Sequence, residues 1–187
     1  MYTIFLDGKQ GARATGMGYS EFVDGFEEIC KQHIDDKRAR AFAFIFYNMI
    51  DGTIRSALKS ARGFEILNKQ SGNDITLFYL HSHSPNNLNY CDKFNQEFMR
   101  TLNISEQVTP PCIVFFRINA KEITDINFSQ IDGETEDEHL IVEELRRNIK
   151  SYIDQLNKEG DISALSSMGG WISKIAFMQA LRHMLSL

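Results

Sequence analysis

T-P-P-C-I-V-F-F-R-I, residues 109–118, sets two prolines directly against a run of strand formers. Proline fixes its own φ and lacks an N–H, so a consecutive pair does not belong inside a central strand. The pair marks a rigid corner, and 112–118 after it reads as a buried strand. Such a corner either ends a loop stiffly or turns backbone toward a ligand, with the Cys112 thiol beside it. The stretches on either side bear on which.

Downstream, N-A-K-E at 119–122 is a turn, and 123–131 alternates apolar and polar residues like an antiparallel edge partner. Thr135 and Glu138 have capping-box spacing before a long helix with Ile141, Leu145, Ile149, Ile153 and Leu156 on one face. Upstream, 2–6 and 74–80 read as strands, and the continuous apolar run 41–49 as a strand covered on both faces. A helix capped by Ser20 carries Phe22, Phe26, Ile29 and Cys30. A second, capped by Thr53, carries Ile54, Leu58 and Ala61 and stops at 71–72. A third starts at Asn89 and carries Phe94, Phe98 and Leu102. The order is β-α-β-α-β-α-β-β-α, which predicts an α/β fold with a mixed sheet and helices on both faces.

The chain has 187 residues, 43% of them hydrophobic, enough for one domain with a sizeable core, and 14 Phe predict an aromatic one. Net charge is −5, with the acidic residues concentrated at 132–144. That pattern argues against nucleic acid and against an anionic membrane as partner. Three widely spaced cysteines, Cys30, Cys91 and Cys112, form no disulfide framework and no C-x-x-C. No basic leader opens the chain and no apolar run approaches membrane-spanning length, so the cytoplasm is the expected compartment.

Over roughly residues 2–157 this order resembles the thioredoxin-like fold, most closely at T-P-P-C-I-V-F-F. The resemblance implies that Pro111 is a cis-proline opening the fourth strand, with Pro110 beside the functional surface. It departs from the family where redox-active members carry C-x-x-C. The second strand here meets the second helix through Y-N-M-I-D-G-T-I-R, 47–55, which has no cysteine. Thiol–disulfide exchange needs an attacking thiolate there. Redox members also pair the backbone of the residue before the cis-proline with a peptide, and Pro110 can accept but not donate.

The expectation is therefore a redox-inactive thioredoxin-like binding or interaction module without a cofactor. Its candidate binding residues are Tyr47, Asn48, Met49, Asp51, Thr53, Thr109, Pro110 and Pro111. The alternative is a single-cysteine thiol-dependent or glutathione-linked enzyme using Cys112, although Cys112 and Cys91 also suit core packing. His81 and His83 have metal-ligand spacing and are similar to H-x-H-P of zinc isopeptidases, but the further Ser and Asp of that pattern do not follow. First-turn N–H groups after Asp51 suit either an anion or a simple cap. The glycine-rich stretch 8–18 lacks a phosphate-binding context and reads as a loop.

Beyond a linker, 158–170, the tail reads as an amphipathic helix over 171–187. Trp171, Ile175, Phe177, Met178, Leu181, Met184 and Leu185 cover about half its circumference, and all of them but Met184 are the candidate interface. This helix packs on the core, forms an interface or lies on a membrane, the last disfavoured by its few cations, so a protein partner or self-association is the expected kind of partner.

Overall fold

The computed structural model describes residues 2–5, 29, 32, 40–81, 88–119, 122–159 and 172–173. The strands are β1 (Tyr2–Phe5), β2 (Ala41–Phe46), β3 (Ile75–His81), β4 (Cys112–Asn119), β5 (Glu122–Gln130) and β6 (Ile172–Ser173). The helices are α1 (Gly52–Lys59), α2 (Ala61–Ser71), α3 (Leu88–Thr101) and α4 (Glu138–Glu159). They build an α/β structure on one mixed sheet, ordered β1-β3-β2-β4-β5-β6. β1, β3 and β2 run parallel, while β4 is antiparallel to β2, β5 to β4 and β6 to β5.

Strand alternation sorts the core into two layers. Phe44 and Phe46 of β2 meet Phe98 of α3 edge-on, with centroids 5.0 and 5.4 Å apart. Phe42 stacks between Phe78 and Phe116 on the neighbouring strands. On the opposite face, Phe115 stacks on Tyr152 of α4 at 4.3 Å. Helices thus cover both faces, and the buried rings contribute about 2–3 kcal/mol each through lost water contact. At the predicted first helix Ile29 and Gln32 are described, both helical, and Ile29 is buried.

The structure corrects the sequence expectations on three points: the continuity of one helix, the caps of two, and the tail. The helix expected from Thr53 to 71 is two helices, broken at Ser60, whose ψ of 134° is extended. The Ser60 hydroxyl accepts from Gly63 N at 2.9 Å and caps the second. Gly63 permits the break, because a Cβ there would lie 2.2 Å from the Ala57 carbonyl oxygen. The cap of α1 is Asp51, not Thr53: its carboxylate accepts from Ile54 N at 3.0 Å. At α4 the cap is Asp137, which accepts from His139 N at 2.8 Å, while Thr135 accepts only from Asp137 N.

The tail brings the third correction. Ile172 and Ser173 are strand, not helix, paired with Ile123 and Glu122 on the outer edge of β5. An edge strand offers unpaired N–H and C=O groups, and satisfying them overrides a helical pattern. The interface candidates Trp171, Ile175, Phe177, Met178, Leu181 and Leu185 lie outside the described residues, as do Cys30, His83 and the stretch 8–18.

Candidate functional site

Three neighbouring strand ends converge at one edge of the sheet. Phe46 pairs with Cys112, so the turn after β2 continues beside the residues before β4. Cys112 in turn pairs with Gln130, which places 131–133 on the other side of the same corner. At its centre the Pro110-Pro111 peptide bond is cis. Binding sites of open α/β sheets favour this end, beyond the carboxyl ends of the parallel strands.

Side-chain bonds hold the corner. The Gln130 amide donates to the carbonyls of Thr109 and Pro111, at 2.9 and 2.8 Å. Ile131 N also donates to the Pro111 carbonyl at 2.9 Å. Gly133 packs so closely on Pro111 that a Cβ there would lie 3.0 Å from the proline Cγ.

The turn 47–51 is fixed just as fully. Asn95 Nδ2 donates to the Tyr47 carbonyl at 3.0 Å, and Met49 N donates to the Asp92 carboxylate at 3.0 Å. Asp92 and Asn95 lie three residues apart on α3 and so share a face. Arg55 Nη1 donates to the Met49 carbonyl at 3.2 Å, and Asp51 N to the Asn48 carbonyl at 2.9 Å. Tyr47 and Met49 are buried, whereas Ile50 between these anchors is 78% exposed. The Tyr47 hydroxyl donates to the Leu80 carbonyl at 2.9 Å and lies 3.3 Å from His81 Nδ1.

All eight binding candidates named from the sequence therefore fall at this edge. Asn48 and Thr109 are exposed, Asp51, Thr53, Pro110 and Pro111 are half-buried, and Tyr47 and Met49 are supports rather than surface. Sequence reasoning missed Asp92, Asn95, Arg55 and Gln130, which do the holding, and Ile50, which is presented. Asn95 carried a readable signal: it falls on the apolar face with Phe98, Met99 and Leu102, where a polar residue needs a buried partner.

Chemically the corner is quiet. Cys112 is fully buried, and burial pushes its thiol up from 9.0 to about 12, away from the nucleophilic thiolate. Asp51 supplies the bond to Ile54 N that an anion would otherwise take. His81 is buried at the end of β3. Among the described residues no three His, Cys, Asp or Glu side chains are grouped to hold a metal ion. Among them also, no helix is long and apolar enough to cross a membrane. Comparison of the chain with protein-family models, with curated proteins and with solved structures finds no match.

Proposed function

We propose that the chain is a redox-inactive thioredoxin-like domain acting as a binding module, with the corner at 47–53 and 109–111 as its functional surface. Support for the fold comes from the order β1-β3-β2-β4-β5, with β4 and β5 antiparallel after a parallel trio. The observation that carries the function is the corner where three strand ends meet, gripped by Gln130, set against a β2–α1 junction without a thiol. On this reading the hydrogen-bonded corner corresponds to the one that presents the active site in redox-active thioredoxin-like proteins, here without the nucleophile. The rival reading, thiol-dependent or glutathione-linked catalysis at Cys112, has to work with a buried group whose thiolate is scarce near neutral pH. The tail, 158–187, is proposed as a second interface for a protein partner or another copy. The compartment proposed from the cysteine pattern is the cytoplasm.

The test is selection of binders from a phage-displayed random-peptide library on immobilised full-length protein. Binding that is lost in Ile50→Asp and kept in Cys112→Ala is the expected result. Binders that ignore Ile50→Asp, or need the Cys112 thiol, would sink the reading.

A further inference from the structure

The charge and hydrogen-bonding capacity at the corner specify what it can bind. Residues 132–138 supply five exposed carboxylates, Asp132, Glu134, Glu136, Asp137 and Glu138, with no Lys or Arg among them. This run starts against Pro111, where Gly133 packs on the proline ring. The turn bearing Ile50 flanks the same prolines from the other side, since β4 lies between β2 and β5.

Helix α4 accounts for part of this charge. Asp137 caps it, and Glu138 in its first turn complements the helix dipole. Asp132 accepts from Glu134 N at 2.9 Å. Among the described residues the Glu134 and Glu136 side chains make no hydrogen bond or ion pair, so nothing in the fold accounts for them.

The backbone is one-sided in the same sense. Pro110 and Pro111 have no N–H to give. Met49 N and Asp51 N are committed to Asp92 and Asn48. The Thr109 and Pro111 carbonyls are held by Gln130, while no group among the described residues donates to the Pro110 carbonyl. The surface is therefore acidic on balance, its one cation among the described residues, Arg55, being committed to the Met49 carbonyl, and it favours donors and positive charge in return.

An apolar element completes it. Three large hydrophobic residues are exposed among the described ones, and two, Ile50 and Leu140, lie at this end. Ile50 stands on a turn whose backbone is already fixed, so docking against it costs little ordering entropy.

Resting on the binding-module reading, we propose that the corner docks a cationic segment of another protein, Lys- or Arg-rich around one apolar anchor. Nucleic acid phosphates and a second copy of this acidic face are both repelled.

The library selection tests the class of partner separately from the site. Enriched peptides are expected to carry Lys or Arg flanking an aliphatic or aromatic residue. Their affinity should fall about tenfold in a Glu134→Lys, Glu136→Lys double variant, and fall again as salt rises. The substituted side chains are exposed, so both variants should keep the parent melting temperature. Enriched peptides without basic residues, unmoved by the double variant but lost in Ile50→Asp, overturn the cationic class and leave the corner standing. Basic peptides that bind Ile50→Asp unchanged move the site elsewhere and overturn both readings. A library that yields no binder does the same.

Discussion

Raising the pH above 9 sets the Cys112 thiol against the core that encloses it. Its pKa is near 9.0 in an unfolded chain and about 12 in the fold, because burial disfavours the thiolate. The stability tied to the neutral thiol is fully present below 9.0 and is lost as pH rises toward 12. At a pH of about 10.5 the loss is about 2 kcal/mol, at about 1.36 kcal/mol per unit. Urea melts of the parent and of Cys112→Ala at pH 8 and about 10.5 should therefore differ: the parent loses about 2 kcal/mol more than the variant. Equal losses would mean that Cys112 is not buried as described. The proline corner and the core role of Cys112 were both legible in the sequence, since two missing N–H groups and a strand of apolar residues admit few arrangements. Gln130, which grips the corner, was not, because its partners lie 19 and 21 residues away.

Helices α1 and α2 show local chemistry interrupting a continuous pattern. Apolar residues keep helical spacing across Ser60, so periodicity alone joins them. The break depends on the Ser60 hydroxyl and on the missing Cβ of Gly63, whose effect appears only once the Ala57 carbonyl lies against it. Gly63→Ala accordingly sets two effects in opposition. Alanine gains about 1 kcal/mol in helix propensity. Its Cβ, however, would sit 2.2 Å from a backbone oxygen, which cannot rotate away like a side-chain tip. Overpacking of this kind typically costs about 1–3 kcal/mol, and a backbone clash belongs at the upper end, so the clash wins. A net destabilisation of about 1–2 kcal/mol, or several degrees in Tm, is expected by thermal melting. A more stable variant would show that the two helices are continuous in solution.

For the whole molecule, alternation of strands and helices was enough to predict a mixed sheet covered on both faces. A two-residue strand at Ile172 and Ser173 was beyond that reach, because its cause is the open edge of β5 and not its own residues. The opposite corner of the sheet is tied by Arg40, which donates to the Leu156 carbonyl at 2.7 Å and to Asn157 Oδ1 at 2.6 Å. The start of β2 is thereby fastened to the last turns of α4. Ending the chain before Gly169 removes β6 and leaves this fastening in place. Successive residues of a strand direct their N–H groups to opposite neighbours, so one amide of Glu122 and Ile123 faces β6. Hydrogen exchange at that amide should accelerate at least about tenfold in the shortened chain, while Asn127 and Ser129, opposite β4, stay protected. Unchanged exchange at both Glu122 and Ile123 would mean that β6 does not pair there.

The buried contact between Tyr47 and His81 settles a question of proton position. A phenol has one hydrogen to give, and the Leu80 carbonyl, which can only accept, takes it. The approach of His81 Nδ1 to the same oxygen is then favourable only if the imidazole supplies the hydrogen. With the phenol hydrogen on the Leu80 carbonyl, the contact favours the imidazole form protonated on Nδ1. In that form any metal or acid–base role for His81 is confined to Nε2.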